Sequence, residues 1–147
     1  MTIDDYIPHR GPMRLVDRLV SADDEQAVVE AEVPAAGAFV QQRRMPSYVL
    51  IEHMAQSVAA WAGARARRQG RPVPLGFLLG TRRFEASCDE LPSGTRLRMT
   101  VRCEMLGDNG LGMFDCRVDA DGRTVAQAML SVFEPPDAQA FLRGSAS

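Results

Sequence analysis

The spacing of apolar residues changes period along this chain, and the changes mark its elements. Over residues 26–33 apolar and acidic side chains alternate, Val29-Glu30-Ala31-Glu32-Val33, as in a strand with one face on a core. Residues 15–19 supply a partner strand, and the polar segment 21–25 the turn between them. From Ser47 to Gln69 the period lengthens to that of a helix, with Pro46 before it, Ser47 as the expected N-cap and Gly70 as the stop. At about 100° per residue, Tyr48, Ile51, Ala55, Val58, Ala59, Ala62 and Ala66 form one broad apolar arc, while Leu50, Met54 and Trp61 cover much of the other side. A helix apolar nearly all round is enclosed rather than laid on a surface, and its Ala and Gly content allows a sheet or second helix to approach closely. After Pro72 and Pro74, residues 75–84, 95–106, 111–120 and 124–133 read as strands. Their turns carry Pro92-Ser93-Gly94, Gly107-Asp108-Asn109-Gly110 and Asp119-Ala120-Asp121-Gly122. Two strands, one long helix and four strands predict an α+β domain, an antiparallel sheet with the helix on its inner face.

Composition narrows the class without changing that picture. A chain of 147 residues with 46% hydrophobic and 24% charged residues suits one globular domain. Residues 1–136 are expected to form it, with an Ala-, Gly- and Ser-rich tail over 137–147 that frays. Both signs of charge are mixed at a net of −2, so no basic field for nucleic acid exists. The local cluster Arg65, Arg67, Arg68 and Arg71 reads either as the solvated end of the helix, suited to its dipole, or as a docking patch for an acidic carrier protein. The three cysteines, Cys88, Cys103 and Cys116, are odd in number and lack CxxC spacing, so neither a disulfide framework nor a zinc site is indicated. No signal peptide and no run of about eighteen apolar residues is present, and a cytoplasmic protein without a membrane segment is expected.

Against this background Glu52 stands out, a lone carboxylate in the first turns of the apolar helix. Such a charge is costly unless it is paired, solvated in a cleft, or kept for chemistry. The bland alternative is a carboxylate accepting backbone N–H bonds near the helix start. The chain has only two histidines, His9 and His53. His53 follows Glu52 directly, about 100° around the helix, so the two do not point into one cleft, and helix packing is its expected role. His9 reads as a loop residue satisfying carbonyls, or as a base. Met13, Met54, Met99 and Met113 are expected to fill the core, with a subset lining a tunnel.

Several segments carry a family resemblance. Ile7-Pro8-His9-Arg10-Gly11-Pro12-Met13-Arg14-Leu15-Val16-Asp17-Arg18, together with Met45-Pro46 and Glu52-His53-Met54-Ala55-Gln56, resembles the bacterial 3-hydroxyacyl-ACP dehydratases, which have the hotdog fold. The helix, Leu75-Gly76-Phe77-Leu78-Leu79-Gly80-Thr81-Arg82-Arg83-Phe84 and Leu130-Ser131-Val132-Phe133-Glu134-Pro135 are similar to dehydratase-like subunits of aryl-polyene pigment clusters. The resemblance implies a 3-hydroxyacyl thioester on acyl carrier protein as substrate and no metal or redox cofactor. It also implies a homodimer or a heterodimer with a second hotdog subunit. Glu52 falls on the acid that helps the β-hydroxyl leave, and Ser47 on the residue whose N–H holds the thioester carbonyl. Tyr48, Phe39 and Gln56 are further candidate substrate contacts. Ala38 falls where the family has its loop histidine, which leaves His9, or a partner's histidine, as the base. The resemblance therefore implies three readings: a dehydratase, a catalytically degenerate subunit that stabilises an active partner or binds acyl-ACP, or an acyl thioesterase.

Overall fold

The computed structural model describes residues 2–135. The frayed tail expected over 137–147, and residues 1 and 136 of the expected domain, lie outside the described residues. The chain opens with two short 3-10 turns, Ile3–Asp5 and Gly11–Met13, followed by strands β1 (Arg18–Ala22) and β2 (Gln26–Glu32). A short strand β3 (Arg44–Pro46) and a 3-10 turn (Ser47–Val49) lead into helix α1 (Leu50–Arg68). Strands β4 (Phe77–Ala86), β5 (Glu90–Pro92), β6 (Arg96–Leu106), β7 (Leu111–Ala120) and β8 (Arg123–Phe133) complete the fold.

Six strands form one antiparallel sheet in the order β1-β2-β6-β7-β8-β4, while β3 and β5 pair separately. Alternation decides which face turns inward. Val29 of β2, Leu97 and Met99 of β6, Phe114 and Val118 of β7 and Leu130 of β8 are buried and form one core with Leu50, Met54, Val58 and Trp61 of α1. Each such side chain contributes about 1.5–3 kcal/mol on burial, so the helix is held by the sheet rather than by its own propensity. The expected α+β arrangement, one long helix inside an antiparallel sheet, is the one observed.

Local chemistry explains where the elements depart from expectation. The first strand begins at Arg18 rather than Leu15, because the backbone N–H groups of Leu15 and Val16 donate to the Gln56 side chain. Its turn closes later, where the Asp23 carboxylate accepts from the N–H groups of Glu25 and Gln26. That pairing also holds the Asp23 carboxyl below its ordinary pKa. The hairpin at Asp121-Gly122 puts both residues at positive φ, 51° and 84°, as a type I′ turn demands. Ser47 makes no side-chain cap: Pro46 precedes the 3-10 turn, and α1 proper starts three residues later, at Leu50. The pairing of β3 with β5 left no trace in the apolar pattern, both strands being only three residues long. Met13 is 57% exposed rather than core, whereas Met54 and Met99 are fully buried.

One close approach positions the N-terminal segment. A Cβ on Gly63 would lie 1.9 Å from the Tyr6 carbonyl oxygen, so only glycine lets that segment cross the helix there. The arginine cluster works in the same region. Arg67 donates to the Asp5 carbonyl and lies over the Tyr6 ring, Arg68 pairs with Asp24, and Arg65 lies over Trp61. Arg71 donates to Gln69 Oε1 at 2.8 Å, so all four arginines engage the chain's own groups, as the solvated helix end expected of them, and a docking patch gains no support.

Candidate active site

Glu52 leaves α1 on its first turn and stays half exposed, its side chain at 40%. The charge is therefore solvated in a cleft, one of the conditions under which an apolar helix tolerates it. His9 reaches the same cleft from the loop between the two N-terminal 3-10 turns, its Nε2 3.9 Å from Glu52 Oε1. That loop is pinned by Arg10, whose guanidinium donates to the carbonyls of Ile7, His9 and Asp4 at 2.6–2.8 Å. Burial lowers the His9 pKa from its ordinary 6.5, the Glu52 carboxylate opposing this and Arg10 adding to it. His9 Nδ1 is buried and meets no hydrogen-bond partner among the described residues, so nothing fixes the imidazole tautomer from behind.

The pair stands at the mouth of a cavity of about 260 Å³ between α1 and the sheet. The small side chains Ala55, Ala59 and Ala62 form its helix wall, with Phe77, Val132 and Phe133 across from them and Trp61 and Phe114 deeper in. The Ala content that was expected to admit a close-packed sheet instead leaves this space open. Apart from His9, Glu52 and Glu134 its lining residues are apolar, as expected of a site for an acyl group.

Gln56 lies within α1 one turn beyond Glu52 and is fully buried. Its Oε1 accepts from Leu15 N at 2.8 Å and Val16 N at 3.4 Å, and its Nε2 donates to Met13 O at 2.6 Å and Glu52 Oε1 at 3.3 Å. Gln56 is thus a positioning residue rather than the expected substrate contact, because the chain itself uses both ends of its amide. Ser47 fails its expected role for a similar reason: its N–H donates to Asp89 O at 2.8 Å and is not free for a thioester carbonyl. Tyr48 is 66% exposed and lines none of the described cavities.

A second cavity, of about 380 Å³, lies on another side of α1, and Phe39, Ala38 and His53 line it. It shares no lining residue with the first. Ala38 therefore does not face Glu52 within one chain, and a histidine at that position would not meet it either. His53 points away from Glu52 as expected, with Nδ1 donating to Val49 O at 3.1 Å. Burial lowers its pKa, against the Val49 carbonyl and the Asp17 carboxylate.

Comparison with known proteins decides the family. The model of the ApeP-like family, described as ApeP dehydratase, matches residues 1–143. The chain belongs to this dehydratase family. Among individual relatives of this family member, the 3-hydroxyacyl-[acyl-carrier-protein] dehydratase FabZ of Allorhizobium ampelinum is 31% identical over 128 residues, covering 83% of this chain and 80% of its own. The FabZ of Streptococcus equi subsp. zooepidemicus is 27% identical over 135 residues, covering 88% of this chain and 92% of its own. Among solved structures, a chain of the dehydratase heterocomplex ApeI:P from Xenorhabdus doucetiae superposes with a TM-score of 0.90 at 23% identity, covering 100% of this chain and 99% of that one. A hypothetical thioesterase with coenzyme A from Streptococcus pneumoniae superposes at 0.62 and 14% identity, covering 80% and 84%. Both likenesses show the fold, which is the hotdog fold. The function is accordingly that of a 3-hydroxyacyl-ACP dehydratase-like protein. Among the described residues no helix is long and apolar enough to cross a membrane.

Proposed function

We propose that this ApeP-like protein removes water from a 3-hydroxyacyl thioester carried by acyl carrier protein, with His9 as the base and Glu52 as the acid. The observation that carries the reading is the His9–Glu52 pair at the mouth of the apolar cavity, with Nε2 and Oε1 3.9 Å apart. In that reaction His9 Nε2 takes the α-proton, and the electron pair forms the α–β double bond. The β C–O bond breaks, and the departing hydroxyl takes the Glu52 proton and leaves as water. An imidazolium and a carboxylate remain, and proton transfer between them restores the starting pair. Gln56 supports the step by donating to Glu52 Oε1. The FabZ relatives, whose name states an acyl-carrier-protein substrate, support the carrier protein as partner, and a cytoplasmic location is part of the same reading.

A second reading has its own support. Ser47 N–H is committed to Asp89, and His9 Nδ1 has no partner among the described residues to raise the basicity of Nε2. Position 38 carries Ala. A second hotdog chain that brings its own base to Glu52 would make up for the last two, as in a heterocomplex. The test is dehydration of 3-hydroxyacyl-ACP followed by mass spectrometry, with the protein alone and with a second hotdog chain from the same genome. Loss of roughly two to four orders of magnitude is expected on Glu52→Gln or His9→Asn. Undiminished turnover in Glu52→Gln rules out Glu52 as the acid, while turnover that needs the second chain and survives His9→Asn selects the second reading.

A further inference from the structure

A histidine that works as a base is ordinarily held through its second ring nitrogen, where a carboxylate or carbonyl on Nδ1 fixes the tautomer and the ring plane. His9 lacks that support, because its buried Nδ1 meets no hydrogen-bond partner among the described residues. On the other edge of the ring Nε2 lies 3.9 Å from Glu52 Oε1, too far for a hydrogen bond. What aims this imidazole at the cavity therefore acts through the backbone that carries it.

That backbone is gathered by one side chain. Ile7, two residues before His9, is 1% exposed and anchors the loop in the core, and Pro8 fixes φ between them. Arg10 folds back over the same loop: its Nη1 donates to Ile7 O at 2.6 Å and to His9 O at 2.8 Å, and its Nη2 donates to Asp4 O at 2.8 Å. Three carbonyls thus converge on one planar guanidinium, and the peptides before Pro8 and after His9 hold a fixed orientation to each other. The Cβ direction of His9, which lies between them, follows from that. The Asp4 carboxylate adds little, since it is exposed and 3.8 Å from Nη1. Arg10 is itself 57% exposed and does not line the cavity, so it meets neither the core nor a ligand bound there.

We propose that Arg10 is the positioning residue of the base: by holding three backbone carbonyls it sets the direction in which His9 presents Nε2, in place of the partner that Nδ1 lacks. This rests on the proposed function, since it takes His9 as the base. Lysine does not replace Arg10 in this role, because an ammonium lacks the planar fork that spans several acceptors at once. The charge of Arg10 has a separate effect. Burial and Arg10 lower the His9 pKa, while Glu52 on α1 raises it, and Glu134 after β8 lines the same cavity.

The two effects separate in the kinetics of Arg10→Met and Arg10→Lys, measured on 3-hydroxyacyl-ACP in whichever assembly turns over, the protein alone or with its second hotdog chain. Arg10→Met is expected to lower kcat by about 10–100-fold, the cost of a base displaced by about 1 Å, with KM little changed. Its acid limb of kcat/KM, where His9 takes up a proton, moves to higher pH because the neighbouring cation is gone. Arg10→Lys lowers kcat too, but keeps the charge and leaves that limb close to its original place. NMR titration of the His9 ring reads the same shift without turnover, and His53→Gln identifies which of the two imidazole signals is His9. Unchanged kcat in both Arg10 variants, or a loss carried by KM alone, overturns the role of Arg10 while the loss of turnover in His9→Asn keeps the proposed function standing. Full turnover in His9→Asn overturns both.

Discussion

Gln56→Met tests whether the candidate site is assembled by one buried amide. The substitution keeps the length of the side chain and removes its polar atoms. It leaves Leu15 N–H and Met13 C=O without their partners at 2.8 and 2.6 Å, and Val16 N–H without a weaker one at 3.4 Å. A fully buried polar group left unpaired costs about 1–3 kcal/mol. Both short bonds are part-buried, so together they predict a loss of about 2–3 kcal/mol, still a sizeable part of the ~5–15 kcal/mol that holds such a domain. Urea denaturation should show the midpoint falling by roughly 1–1.5 M at a slope of about 2 kcal/mol/M. The site should loosen with the fold, because the amide ties the segment after His9 to the turn that carries Glu52. In the folded variant the His9 imidazole, followed by NMR, should titrate closer to 6.5 than in the unmodified protein, where burial lowers it. A stability within about 1 kcal/mol of the original, together with an unchanged His9 titration, would refute the argument that Gln56 sets this geometry.

Two further outcomes follow from the same physics. Gly63→Ala should destabilise the protein by at least about 1–3 kcal/mol in thermal melts although Ala favours helix, since the added Cβ meets the Tyr6 carbonyl at 1.9 Å; a stabilised variant would contradict that contact. Stability should also fall as pH drops below about 6.5, because His9 and His53 both have lowered pKa values and the unfolded chain then binds more protons than the folded one. The decline should level off below the folded-state values, and His53→Gln should flatten it, as read from melting temperatures between pH 5.5 and 8 at about constant ionic strength.

The antiparallel sheet and its single enclosed helix were legible because burial writes itself into local period. β2 and β6–β8 alternate along one face and α1 is apolar around most of its circumference, so these elements lie close to their expected bounds. The short β3–β5 pair left no signal, since three residues carry too little pattern. At the site, the sequence by itself singled out Glu52 and His9, one through a charge out of place and both through family motifs. Only the tertiary structure decided what surrounds them. It brought His9 to 3.9 Å from Glu52 across 43 positions of chain and spent Ser47 N–H on Asp89. It also saturated Gln56 from a segment some forty residues away, and turned Ala55, Ala59 and Ala62 from a packing face into a cavity wall. The reason is physical: the need to bury or solvate a side chain is a property of its type and neighbours along the chain. Which hydrogen-bond partner it meets, and where packing leaves a void, depends on segments that only folding brings together.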